Sequence, residues 1–559
     1  MRQSVFCAFA IAALSGCSLR LDGNSAATAP APADVVLRGA RLIDPVEELS
    51  GSSIAIRDGR IIAIGSDEQV RAYYGARTRV LDAKGGVIVP GLQDAHGHLF
   101  GLGADLERAD LRGAKSEAEM AARVGEFART HPDGWIQGRG WDQNLWPAAQ
   151  FPTKASIDAV SGSRPAVLSR VDGHAVLVNS AALRLAGVTS STKDPDGGRI
   201  VRDAQGEPTG VLVDNAELLV TRVMPPASDD ELERRALAAQ SACLAAGLTA
   251  VHDAGESAAE RAVLRRLDAG GLLKLRIYGM ASASDMPKEP ARQDRYTLRA
   301  VKAYADGALG SRGAALLEPY EDEPGHRGLL VTSEEGLRAI AKTCRDRGLQ
   351  LCVHAIGDRG NRLVLDIFEQ TFADARERLR SERWRIEHCQ IVSPDDFMRF
   401  KDLGIIASMQ PTHATSDGPW APRRVGTKRM EGAYAWRKFQ DLGVVLAFGS
   451  DFPVESHDPR LGLYAARTRR APGADEGGPF GPSPPLGARE TLAGFTKNAA
   501  FASFREDDLG RLAVGYRADL TVFSGNPLAA DRTALDARVI WTFVDGELVY
   551  PAQSASVPR

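Results

Sequence analysis

The 559-residue sequence predicts an α/β fold, a (β/α)₈ TIM barrel joined to a small composite β-sandwich and carrying an inserted lid, on three observations. Eight short apolar runs alternate with amphipathic helical stretches, the pattern of βα units around a parallel sheet. The β-rich segments at the two ends are each too small to bury a core, and pairing them into one sandwich removes that difficulty. About 130 residues intervene between the first run and the helix that follows it, far beyond the usual 2–6 residue βα loop, so they read as a separate body over the barrel mouth. The charge balance, 69 Lys+Arg against 72 Asp+Glu for a net −3, gives no electrostatic reason to bind nucleic acid or an anionic membrane surface.

The chain opens on an address. Arg2 is followed by an apolar run over 5–14, and small residues lead to Cys17. This is the layout of an export signal, since a spanning helix needs about 20 apolar residues. Leu14-Ser15-Gly16-Cys17 resembles the lipobox of bacterial lipoproteins, which implies removal of residues 1–16 and acylation of Cys17. The protein is then expected in the bacterial cell envelope, anchored in the outer membrane and facing the periplasm, because Ser18 rather than Asp follows the cysteine. An ordinary signal and a soluble periplasmic protein are the alternative. Residues 17–33, rich in Ala, Pro and Ser, read as a flexible tether, so the membrane is met only through Cys17. Cys243, Cys344, Cys352 and Cys389 show no pairing signal and are expected as free buried thiols.

Residues 34–90 alternate short apolar runs with turns, and Asp58-Gly59 between two of them predicts a hairpin, because glycine accepts the positive φ of a tight turn. Residues 501–559 repeat the style around Asp545-Gly546 and supply the other part of the sandwich. The barrel is expected over 91–99 and 229–500, with strands near 89–95, 248–251, 275–278, 298–304, 349–354, 384–388, 405–409 and 444–448. The lid takes 100–228. A helix over 229–246 is delimited by a capping box of Ser228 and Glu231 and by Gly247.

Six polar residues sit at or near the ends of these strands. His96 and His98 are two apart, so an extended chain turns both imidazoles to one side. His354, His388 and Asp451 end the fifth, sixth and eighth strands, and Lys302 lies within the fourth. In such barrels the C-terminal strand ends converge on the mouth. Three or four imidazoles with a carboxylate make a good divalent-metal set, Zn²⁺ first among them. Lys302 is the anomaly, because a dication repels an ammonium. It is either a sheet-edge lysine or an amine of lowered pKa that takes up CO₂, giving a carbamate able to bridge two metals.

These residues stand in longer blocks: Pro90-Gly91-Leu92-Gln93-Asp94-Ala95-His96-Gly97-His98, Val301-Lys302-Ala303-Tyr304-Ala305-Asp306-Gly307-Ala308-Leu309-Gly310-Ser311-Arg312, His354-Ala355-Ile356-Gly357-Asp358, Ile386-Glu387-His388-Cys389-Gln390 and Phe448-Gly449-Ser450-Asp451-Phe452-Pro453-Val454. Over about residues 34–550 the chain resembles the amidohydrolase superfamily, in particular amidohydrolase family 3, which includes N-substituted formamide deformylase-like proteins. The resemblance implies a metal centre of His96, His98, Lys302, His354, His388 and Asp451, with Lys302 carbamylated in binuclear members. One ion and two are both compatible with it.

Trp135, Trp141 and Trp146 concentrate indoles in the lid, as an apolar substrate wall or as the lid's own core. Trp141, His174, Arg312 and His413 are the candidates for substrate contact, with structural roles open for His174 and His413. His131, His252, His326 and His457 lack such convergence and are expected to be structural. There is no nucleophile elbow, P-loop or dinucleotide fingerprint. The expected reaction is hydrolysis of a C–N amide-type bond of a small molecule, an N-substituted formamide or N-acyl compound, by metal-activated hydroxide. Asp451 would take the water proton and pass it to the departing amine. Ester, lactone or cyclic-imide hydrolysis at the same centre, and a silent surface-anchored binding protein, are the alternatives; a homodimer is compatible with each.

Overall fold

The computed structural model describes residues 30–474 and 479–551, so the expected signal, Cys17 and the tether up to residue 29 lie outside the described residues. Eight parallel strands form the barrel: Leu92–Gly97, Leu248–Glu256, Arg276–Ser282, Tyr296–Tyr304, Gln350–Ala355, Arg385–His388, Ile406–Met409 and Leu446–Phe448, each hydrogen-bonded to the next. Most of their residues are buried on both faces, which is why they read as apolar runs rather than as alternating ones. The ring closes beyond the last strand, where Asp451 N–H donates to the His96 carbonyl and His98 N–H to that of Phe452, both at 2.7 Å.

The first strand starts later than expected. Val87–Pro90 belongs to the sandwich, and the chain passes from one body to the other at Gly91. A Cβ there would lie 2.3 Å from Thr249 Oγ1, so only bare backbone lets the two bodies abut. The sandwich pairs a four-stranded sheet from residues 35–82 with a five-stranded sheet that mixes Arg41–Leu42 and Val87–Pro90 with three C-terminal strands. Leu37, Ile54, Ile88, Leu520, Val522 and Phe543 fill the space between them. Both Asp-Gly pairs make two-residue hairpin turns with positive φ at each residue, +51° and +73° at Asp58-Gly59 and +50° and +71° at Asp545-Gly546. Arg276 of the third barrel strand clamps the bodies together, its guanidinium reaching Asp519 (2.6 Å) and Asp545 (2.5 Å) of the sandwich.

The lid is a six-stranded mixed sheet with helices on both faces and a core on each. Its expected start at residue 100 is corrected. The helix Leu99–Asp105 lies on the barrel helix Asp229–Ala245 and sends Leu99, Phe100 and Leu102 into the barrel core. Gly103 makes that contact close, since a Cβ would meet the Arg235 carbonyl at 2.3 Å. The lid proper begins with the strand Ala109–Asp110. The capping box at Ser228 and Glu231 is formed, and the four described cysteines are buried and free. Among the described residues no helix is long and apolar enough to cross a membrane.

Candidate metal centre

The strand ends bring the six predicted residues together. His96 and His98 leave the first strand on one side, their ring centroids 5.5 Å apart. Asp451, just past the eighth strand, turns Oδ1 to both, 3.0 Å from His98 Nε2 and 3.5 Å from His96 Nε2. Lys302 Nζ lies 3.1 Å from His96 Nε2. The His388 ring stands 4.9 Å from that of His96, and the His354 ring 4.5 Å from that of His388. His388 and Asp451 hold positive φ, +77° and +60°, a conformation that costs a non-glycine residue energy and that surrounding structure must enforce.

The enforcement comes from beneath. His96 Nδ1 donates to Glu387 Oε2 (2.6 Å), His98 Nδ1 to the Ala254 carbonyl (2.8 Å) and His388 Nδ1 to Gln410 Oε1 (2.9 Å). A carbonyl or carboxylate can only accept, so each Nδ1 carries the proton and each Nε2 is left with a lone pair. Arg385 grips both oxygens of Glu387 (2.7 and 2.9 Å) and reaches the Ala95 carbonyl, Ser408 Oγ and His252 Nδ1, joining four strands with no solvent contact. Asp94 accepts from His96 N–H and from both the N–H and Oγ of Ser450, fixing the two ends of the barrel seam. Sequence reasoning gave none of these a role. Their signal is a charge set inside a buried strand, which persists only where it is paired.

Burial pulls His96 down to about 4, with the Lys302 charge adding to the effect, and it holds His354 and His388 well below the ordinary imidazole value. Burial alone would raise Asp451, but the imidazoles of His413 and His98 beside its oxygens bring it well below the usual carboxylate range. Burial also lowers the Lys302 amine. His96, His354 and His388 are thereby favoured as neutral imidazoles beside an ionised carboxylate. A tetrahedral Zn²⁺ with bonds of about 2.0–2.1 Å has ligand-to-ligand edges of about 3.3–3.4 Å. One ligand atom each of His96, His98 and Asp451 falls within 4.8 Å of the others, and the 3.0 and 3.5 Å separations bracket that edge, so the donor set fits a divalent ion.

Two chambers of about 480 and 530 Å³ meet at this point, sharing Asp172, His174, His354, His388 and Asp451 in their walls. The first runs under the lid past Leu102, Leu106, Leu145, Leu309 and Trp420. His174 lines both chambers, its Nδ1 2.7 Å from Asp214 Oδ1 and its ring 4.9 Å from that of His354. His413 lines the first, with Nε2 3.4 Å from Asp451 Oδ2. Two expected contacts are corrected. Trp141 lines neither chamber; it is fully buried in the lid core, where Nε1 donates to the Leu168 carbonyl at 2.7 Å. Arg312 also lines neither, because its guanidinium turns to Asp322 and Glu323, each at 3.1 Å.

The arrangement has relatives. A Bacillus subtilis (strain 168) protein named as the amidohydrolase YtcJ is 33% identical over 510 residues, covering 89% of this chain and 96% of its own length. The N-substituted formamide deformylase of Arthrobacter pascens is 28% identical over 526 residues, 89% of this chain and 94% of its own. An uncharacterized metal-dependent hydrolase of Pyrococcus horikoshii OT3 superposes with a TM-score of 0.70 at 27% identity, over 89% of this chain and 98% of its own. The model of the amidohydrolase family matches residues 79–550, through lid, barrel and the C-terminal part of the sandwich, and the chain belongs to that family.

Proposed function

We propose that the protein hydrolyses a C–N amide-type bond of a small molecule, an N-substituted formamide or other N-acyl compound. The observation that carries this reading is the convergence of His96 Nε2, His98 Nε2 and Asp451 Oδ1 where two chambers meet. His96, His98 and Asp451 would hold a divalent cation, Zn²⁺ by donor type, with Lys302, His354 and His388 around it. Such a cation, when bound, supplies Lewis-acid polarisation and acidifies water.

The chain's own residues supply the rest. Asp451, kept ionised, takes a proton at its carboxylate and returns it to the departing amine nitrogen, which leaves poorly unless protonated. The lid roofs the first chamber, and Leu106, Leu145 and Trp420 offer an apolar wall for the nitrogen substituent. Arg170 is committed: Asp142, Asp172 (2.5 Å) and Gln143 (2.9 Å) occupy its guanidinium, so it has little to offer a substrate carboxylate. That favours neutral formamides over N-acyl amino acids, in keeping with the deformylase relative. Burial lowers the Lys302 amine and so favours the neutral form that takes up CO₂, and we assign it the carbamate. The same reading places the enzyme in the cell envelope on an acylated Cys17.

The test is a screen of the full-length, metal-loaded protein against N-substituted formamides, N-acyl amino acids and lactones, reading released amine or acid. Amine release from the formamides is expected. Lactone opening with no amine from any amide would move the assignment to ester-type hydrolysis.

A further inference from the structure

The second chamber, about 530 Å³, is walled by the lid turn Asn215–Glu217 and by the end of the second barrel strand. Its acids are left in a different state from those of the first. There Asp142 and Asp172 close on Arg170, and Asp417 accepts from Gln390 Nε2 (2.6 Å) and the Tyr434 hydroxyl (2.7 Å). In the second chamber Glu217 Oε1, Asp253 Oδ2 and Glu256 Oε1 are buried and meet no donor among the described residues. Asp253 and Glu256 are only 3% and 2% exposed, and a buried oxygen without a partner is costly. Their other oxygens are fixed, Asp253 Oδ1 by the Leu99 N–H (2.7 Å) and Glu256 Oε2 by the Tyr296 hydroxyl (2.6 Å). Burial pushes Asp253 up to about 7 and Glu256, with the Asp253 charge adding to the effect, well above the usual carboxylate range. Neighbouring guanidiniums are spent elsewhere: Arg261 donates to the Glu256 carbonyl (2.8 Å) and to Asp285 (2.7 Å), and Arg139 to the Val171 carbonyl (3.1 Å).

We propose that the second chamber binds an organic cation, a guanidinium or alkylammonium arm of the substrate, between Glu217 of the lid and Asp253 and Glu256 of the second strand. A metal ion is the poorer occupant. Among the described residues these three do not bring one oxygen each within 4.8 Å of the others, so they lack a shared point but suit the spread N–H donors of an organic cation. Phe100 and Leu218 line the same chamber and can cover the methylene stem of such an arm. Asp253 and Glu256 flank Ala254, whose carbonyl holds His98 Nδ1, so the acidic wall stands directly behind the metal centre. This deepens the hydrolase reading and rests on it for the place of the scissile bond. The formamides favoured above lack a carboxylate, and the second chamber adds a positive charge on the nitrogen substituent.

The experiment titrates the full-length, metal-loaded protein by calorimetry with butylguanidinium and with butylurea, which has nearly the same shape and no charge. The guanidinium is expected to bind about tenfold more tightly or better, the scale of one charge-assisted hydrogen bond. The preference should shrink as salt is added. Glu217→Gln and Asp253→Asn should each lose most of it while binding butylurea as the wild type does. Equal affinity for the two probes in the wild type, or a preference untouched in Glu217→Gln, overturns the proposal. If Asp253→Asn gives no cooperative melt, Glu217→Gln decides alone. Hydrolysis is not read, so a strong preference for the cation in a protein that cleaves no amide would refute the function and leave this site standing. Amide cleavage by a protein that binds both probes alike would do the reverse.

Discussion

Asp451 carries more of the site than any other side chain, since three imidazoles address it: His96 and His98 at one oxygen and His413 at the other. Asp451→Asn keeps an oxygen able to face a cation but removes the proton relay. We expect the cation beside His96 and His98 to remain while turnover falls by about 10²–10⁴-fold, the usual cost of losing a general acid–base group. Parallel metal analysis and amine-release kinetics check this, and activity within a few-fold of wild type would take Asp451 out of the chemistry. Lys302 poses the other question at this scale. A buried amine 3.1 Å from a ligand nitrogen is a poor neighbour for a cation unless its charge is removed. If it carries a carbamate, Lys302→Ala lowers the metal content, and millimolar acetate or propionate restores part of the activity by supplying the missing oxygens. No rescue, together with full metal content, would leave Lys302 as a buried structural amine.

Among the elements, the eight barrel strands were legible because a strand buried on both faces is largely apolar, and six polar residues at or near their C-terminal ends stood out as a candidate metal set. What sequence could not place was the direction of side chains whose partners lie far away along the chain. Trp141 faces the lid helices because the sheet's other neighbours do, and Arg312 is turned by a backbone φ of +63° toward Asp322 and Glu323. Glu387 sits within a motif quoted for its histidine and Arg385 just before it, yet their work depends on His96, 291 residues from Glu387. The lid has a core of its own, so it should respond on its own. Trp141→Ala removes a fully buried indole and is expected to destabilise the lid by about 3–5 kcal/mol. Thermal unfolding followed by lid-directed limited proteolysis should show an earlier lid transition, with the metal content unchanged. A melt identical to wild type would mean that the indole is not a keystone of that core.

At the scale of the whole molecule, the two sandwich sheets and the barrel form one body joined by Arg276 and by hydroxyls such as Thr521 Oγ1, which donates to the Gly247 carbonyl at 2.7 Å. The proposed attachment to the cell would depend on the far N-terminus. A single acyl chain gives only reversible membrane binding, whereas several chains on Cys17 would not detach. Cells grown with a clickable fatty acid should label the wild type in the membrane fraction, and Cys17→Ala should lose the label while its barrel still takes up metal. A wild-type protein that is unlabelled and wholly soluble would favour ordinary export.

The seam between the two ends of the chain also fixes a timetable. Val87–Pro90 pairs with Leu520–Phe523, and the first barrel strand meets its neighbours only when Leu248–Glu256 and the turn after Leu446–Phe448 have been made. As the polypeptide leaves the ribosome, the lid strands between residues 109 and 214 have all their partners at hand, while the barrel waits for most of the message to be read and the sandwich for nearly all of it. Long-range pairing of this kind is slow to complete. If the first residues are the export signal proposed above, that delay would keep the barrel and sandwich unfinished, and so still passable through a membrane, until their last strands have been translated.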